Sequence, residues 1–320
     1  MFTKNFKTVL TLSLLLCLSS FTSCSDDDVI DEKQKDIVEL ASATSTLSTL
    51  VSAVQKAGLV DALKADGSFT VFAPTNDAFQ ALLDSNNSWN SLDDIPVETL
   101  KTVLMFHVLT SKVKSTDLSN VYVNTLATGP NDENLSLQVE TTGGVEFNGD
   151  SKPVTVDVEA SNGVVHIIDK VMLPPNVVTL ALNNSGFTNL VAALTDSRHT
   201  TDFVSVLKGD GPFTVFAPTN RAFEELLATN SSWNSIGDIP IATLDAVLKY
   251  HVVNGANVQS KQLTNNQEVT MLSGDKITVD LSSGAKLKTT SNQSVVISST
   301  DVQGANGVIH VVDSVLLPAN

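Results

Sequence analysis

Cysteine, aromatic side chains and basic clusters are all scarce in this 320-residue chain. There are two cysteines, Cys17 and Cys24, and Cys17 sits inside an apolar N-terminal run. If that run is removed on export, Cys24 has no partner and no intrachain disulfide can staple the fold. So few cysteines also exclude a Cys-rich zinc site. Lys and Arg number 19 against 35 Asp and Glu, a formal charge of −16, and no basic run follows the N-terminus. Nucleic acid and anionic lipid headgroups need clustered cations, so both are poor partners and no nucleic-acid role is expected. No apolar stretch beyond residue 24 approaches the length of a membrane helix. Phosphate-binding glycine loops, a G-x-S-x-G elbow and the spaced acidic loop of an EF-hand are missing as well. No cofactor is implied.

The N-terminus supplies what the rest lacks. Lys4 and Lys7 precede the apolar run VLTLSLLLCL at 9–18, followed by Phe21-Thr22-Ser23-Cys24. That order reads as a secretory signal over 1–23. Small residues just before a cysteine resemble the bacterial lipoprotein cleavage box, which implies that Cys24 is the lipidated first residue. Several acyl chains anchor stably where one is marginal. Residues 24–36, with SDDDVIDEKQKD after the cysteine, read as an acidic tether. An acidic cluster at this place resembles the signal that sends lipoproteins of the Bacteroidetes to the outer face of their outer membrane. Loss of Lys4 and Lys7 takes the formal charge from −16 to −18.

The body is written twice. FTVFAPTN occurs at 69–76 and again at 213–220, and Trp89/Trp233, Pro96/Pro240, His107/His251, His166/His310 and Asp169/Asp313 share the same offset of 144. Upstream the offset is 140 (Leu50 to Leu190), so the second copy carries about four extra residues near TDSRHTTD. Two long units are tandem domains and not a solenoid. We place them at 37–176 and 177–320, joined at Pro174-Pro175-Asn176. A join this short predicts a pair that does not tumble freely.

Each unit reads helix first and strand later. Leu47, Leu50, Val51 and Val54 recur at helical spacing, and Leu59 with Leu63 marks a second short helix. FTVF is a strand, and Thr75 or Asn76 caps the helix that follows. Pro96 and Pro240 suit the first turn of another helix, with Leu100, Val103, Leu104 and Phe106 on its buried face. Then LSLQVET, KPVTVDVEA, VVHIIDKVML and their counterparts EVTML, KITVDL and VVISSTDV alternate as strands, punctuated by Gly-Gly and Asn-Gly turns. The class is α+β.

FTVFAPTNDAF, then Phe106-His107, then VVHIIDKVMLPP resemble the fasciclin-like domain, and FTVFAPTNRAF, Tyr250-His251 and VIHVVDSVLLP repeat all three marks. The resemblance implies a β-sandwich or wedge core flanked by helices, in both copies, and a role in adhesion or extracellular binding. The partner it implies is a protein, matrix or cell-surface ligand, and self-association stays open. It also marks Phe106, His107, Tyr250 and His251 as the family's binding pair. The first copy has Phe106 where the family has tyrosine.

Blander readings compete at each candidate. A zinc site needs three or four ligands, and neither unit offers a third repeated histidine, so we expect no metal and buried imidazoles bonded to backbone. No residue is assigned to catalysis. Asp94, Asp238, Asp169 and Asp313 read as capping or turn residues. Trp89 and Trp233, each within N-S-W-N-S, are candidate glycan contacts, though their shared place suggests packing. The leading expectation is a non-enzymatic, surface-anchored adhesion lipoprotein, with a glycan-binding accessory lipoprotein as the alternative.

Overall fold

A computed structural model describes residues 34–319; the signal, Cys24 and most of the tether lie outside the described residues. The described residues, 34–319, form one compact unit. The first half runs α1 (Ile37–Ala43), α2 (Ser48–Lys56), α3 (Val60–Lys64), β1 (Phe69–Pro74), α4 (Asn76–Asp84) and α5 (Val97–Phe106). Strands follow: β2 (Val108–Leu109), β3 (Val121–Thr128), β4 (Asn134–Glu140), β5 (Glu146–Phe147), β6 (Pro153–Ala160) and β7 (Gly163–Ile168).

The second half repeats the order with α6 (Val177–Leu182), α7 (Thr188–Leu194), α8 (Phe203–Lys208), β8 (Phe213–Pro218), α9 (Asn220–Ala228) and α10 (Ile241–Lys249). Its strands are β9 (Val252–Asn254), β10 (Glu268–Thr270), β11 (Lys276–Asp280), β12 (Lys286–Lys288), β13 (Ser294–Gly304) and β14 (Gly307–Val312). The expected α+β class holds in both halves. Two details differ from the sequence reading. Asp36 belongs to the fold, since its side chain accepts from the Glu39 backbone N–H and caps α1. Pro96 and Pro240 stand one residue before their helices and not inside the first turn.

In the first half β2-β1-β7-β6 form one sheet and β3-β4-β5 another. In the second half all seven strands join in one sheet, β10-β11-β12-β13-β14-β8-β9. β13 makes that join: it pairs with β12 at one end and β14 at the other, with register shifts near Ser299 where it bends. β7 ends at Ile168, so the DKVML that follows is irregular, as is its counterpart after β14.

β1 lies between an antiparallel β2 and a parallel β7, which explains why FTVFAP is apolar on both faces. Val71 and Ala73 face a core shared with α1, α2, α4 and α5. Phe72 faces a second core between the two sheets, with Phe106, Leu135, Leu137 and Phe147. The second half has the same two cores, with Val215 and Ala217 on one side and Phe216 on the other. The parallel strands approach closely at one end: a Cβ on Gly163 would lie 2.3 Å from the Phe69 carbonyl oxygen, and one on Gly307 2.2 Å from that of Phe213. Only glycine fits there, so the repeated Asn-Gly is a packing requirement as well as a turn.

Candidate functional site

Each polar residue of FTVFAPTN has a structural partner in both copies. Thr75 and Thr219 cap α4 and α9 through their hydroxyls, which accept from Ala78 and Ala222 N–H groups. Asn76 accepts from the Thr49 N–H at 2.9 Å and donates to the Ser45 carbonyl at 3.0 Å, tying α4 to the start of α2. Asn220 does the same to Asn189 and Ser185. Thr70 donates to the Ser111 carbonyl and accepts from the Val113 N–H, and Thr214 repeats this with Ala256 and Val258. Pro-Thr-Asn is thus a strand-to-helix hinge. The changing position beside it is outside the scheme: Asp77 is exposed, and Arg221 pairs only with Glu225 on its own helix.

The histidines are bonded at both ring nitrogens. His107 Nδ1 donates to the Val103 carbonyl at 2.7 Å and Nε2 accepts from the Met172 N–H at 3.0 Å. His251 does this with Val247 and Leu316. Burial pushes both rings down to about 4, so they are neutral at physiological pH. His166 and His310 take the opposite tautomer, with Nε2 donating to Val113 and Val258 carbonyls at 2.9 and 2.8 Å. Their Nδ1 atoms accept from the Asp157 and Asp301 N–H groups. Phe72 and Phe216 stack on these rings. Among the described residues no group of three or more His, Cys, Asp or Glu side chains is placed to hold a metal.

The pair that the family resemblance marks for binding is interior. Phe106, His107, Tyr250 and His251 are all buried, so a ligand on the folded surface does not touch them. Tyr250 does use its hydroxyl, donating to the Lys276 carbonyl at 2.9 Å and accepting from the Thr290 N–H at 3.2 Å. Phe106 has no such bonds to make. Trp89 and Trp233 are half-buried against the helical cores of their own halves, and Trp233 also lines an open cavity of about 550 Å³ with Thr243 and Ser291. Asp94 and Asp238 accept backbone N–H groups of the N-S-W-N-S loop, which hold both carboxyls below their usual range.

Three features escaped the sequence reading. Asn162 and Asn306 act at a distance: each accepts from the first N–H of α1 or α6 and donates to two carbonyls at the end of α3 or α8. Recurrence at the repeat offset was their only signal. The second is the fifth histidine, His199, in the four-residue insertion. It bonds the Asp245 carboxylate and the Ala193 carbonyl, and its ring meets Phe203 edge-on at 4.9 Å.

The third is the junction between the halves. Gln303 is buried and its N–H donates to Ser136 Oγ across the junction at 2.9 Å. Its side chain bonds Asn257, Gln259 and two backbone carbonyls. Across the same contact Asn131 donates to the Asn257 carbonyl and Asn257 to the Pro130 carbonyl, Lys261 pairs with Glu133, and Asn184 donates to the Tyr122 hydroxyl. Gly129 completes the fit, since a Cβ there would lie 2.9 Å from the Gly304 oxygen.

Helices packed on a sheet, duplicated and docked through buried amides, define a pair of α+β modules. The fasciclin domain model matches residues 45–174 and 185–318, and the chain belongs to the fasciclin family. It is 31% identical over 262 residues to the transforming growth factor-beta-induced protein ig-h3 of Sus scrofa, covering 80% of this chain and 35% of that one. It is 27% identical over 300 residues to periostin of Homo sapiens, covering 92% of this chain and 32% of that one. The chain thus spans about a third of the length of these two relatives. Among solved structures it is similar to the FAS1 domain pair of the insect cell adhesion molecule Fasciclin I. The TM-score is 0.51 at 19% identity, covering 85% of this chain and 97% of that one.

Proposed function

We propose that this protein is a non-enzymatic, surface-anchored adhesion protein whose fasciclin pair binds a protein or matrix ligand, with Cys24 as the lipidated anchor of an outer-membrane lipoprotein. One observation carries the reading: the repeated histidines and the threonines and asparagine of both FTVFAPTN lines have structural partners, which leaves recognition to the outer surfaces. Family membership and the likeness to a pair from a cell adhesion molecule support it. The domains as we place them are 37–176 and 177–320, after a signal at 1–23 and a tether at 24–36. The test captures partners from outer-membrane and host-surface extracts on the tether-free body. Saturable retention of one protein partner is the expected result, and retention of none sinks the proposal. Anchoring is tested separately, by palmitate labelling of the full chain against Cys24→Ala. Label that persists in the variant overturns that part.

The glycan reading keeps one supporting observation, the cavity beside Trp233. Glycan arrays with Trp89→Ala and Trp233→Ala decide it: specific sugar binding lost in the variants would replace protein adhesion as the leading reading.

A further inference from the structure

The helical end of the first domain is not fully packed. Between α1, α2 and α3, above β1 and α5, lies a cavity of about 230 Å³. Its walls are apolar, with Val38, Val51, Val54 and Val60 on the helices and Leu104 below. The polar residues among its lining are few. Ser42 is bonded to the Val38 carbonyl, and His107 has both ring nitrogens engaged by backbone. Only Gln55 and Lys64, both exposed, bring free polar ends to the rim. The opening follows from the fold: α1 is pinned at its first N–H by Asn162 and meets the helical segment at 45–56 at 108°, so short helices splay over the sheet.

The second domain treats the same region differently. Phe203 stands where the first copy has Leu59, and Leu194 stands where it has Val54. Phe203 is fully buried and backed by His199 from the insertion found only in that copy. The first copy keeps smaller side chains at both places.

We propose that this cavity is a binding site for a medium-chain fatty carboxylate, its alkyl tail between α1 and α2 and its carboxylate at Lys64. A dry apolar cavity of about 150 Å³ accepts benzene, and this one is larger, suited to a chain of about eight carbons. Its walls offer no buried donor that would select a polar ligand, while the exposed lysine at the mouth selects an anionic end. Burial keeps the His107 ring on the floor uncharged at neutral pH, so the floor suits a hydrocarbon.

Calorimetric titration of the full chain with octanoate tests the site, with methyl-resolved NMR to locate it. One saturable site per chain, with a Kd on the order of 0.1–1 mM, is expected. Shifts should be confined to Val38, Val51, Val60 and Leu104. Val51→Phe, which fills the space, should weaken binding at least about tenfold, and Val54→Leu, the second copy's own choice, about threefold. Lys64→Gln should weaken octanoate about threefold and leave octanol unchanged. Absence of saturable binding to the wild-type chain overturns the proposal. So does unchanged affinity in a folded Val51→Phe or Val54→Leu variant, or shifts centred on the second domain. An octanoate affinity unchanged by Lys64→Gln, or an equal loss for octanoate and octanol, removes Lys64 as the carboxylate's partner.

Discussion

Positions 159 and 303 share a place in the repeat and live in opposite surroundings. Glu159 is a partly exposed carboxylate held by Lys112 and Lys114. Gln303 is a buried amide, and the places of the two lysines are taken by Asn257 and Gln259, whose side chains donate to it. The strands beneath are alike; the difference is that β4 of the first half covers this edge of the second. A charged trio would carry an uncompensated desolvation cost under that cover, whereas three amides bond one another and two backbone carbonyls at no net charge. The surface of each copy is therefore written by its neighbour, and the interior by the family.

The interior half of that comparison predicts the largest effect. His107 and His251 have the same environment and should respond alike to acid. Their folded pKa, about 4, is depressed below the ordinary histidine value, so the unfolded chain binds more protons as pH falls. Their contribution is complete above pH ~6.5 and is lost progressively down to about 4. Each should cost about 2–3 kcal/mol between pH 7 and pH 4.5, read by urea unfolding. Asp280, whose carboxyl Lys288 and Ser282 hold well below the usual range, adds its loss only in stronger acid. Replacing His107 or His251 with glutamine should remove the same part of the change above pH 4.5 from either copy; unequal losses would show that the two copies differ inside.

The surface half predicts an asymmetry. Gln303→Ala strands several buried partners and should cost about 3 kcal/mol, while Glu159→Ala, which removes only exposed ion pairs, should cost much less, both read by thermal unfolding. Equal costs would mean that the junction contributes little. Tyr250→Phe leaves the Lys276 carbonyl and the Thr290 N–H short of a partner and should cost about 1–2 kcal/mol, an expense the first copy never meets at Phe106. Asp77→Arg copies the second domain at an exposed helix position and should stay within about 0.5 kcal/mol.

These residues also mark how far sequence reasoning reached. FTVFAPTN was legible because its effects are local: alternation makes a strand, proline stops it and threonine caps the next helix. The histidines were legible by elimination, since too few ligands recur to hold a metal. Thr70 and Asn162 were not, because each bonds backbone about forty to a hundred residues away and leaves no periodic trace. Gln303 was hidden for the opposite reason. It departs from the repeat, and the meaning of the departure lies in a surface contributed by β4. The Phe-His and Tyr-His pairs, carried over as binding residues, turned out to face inward because they end a core helix beside a buried strand.

The bonds at the start of the fold have a mechanical consequence. The Lys35 carbonyl accepts from the Ser161 N–H at 2.9 Å, and the Ile37 N–H donates to Asn162 at 3.0 Å. Tension applied at residue 34 therefore reaches the β6–β7 turn before it reaches any other strand. Those two bonds yield first, and α1 peels while the parallel β1–β7 pair remains zipped. Because α1 is one wall of the apolar cavity, a pulled molecule exposes that cavity before it loses its sheets.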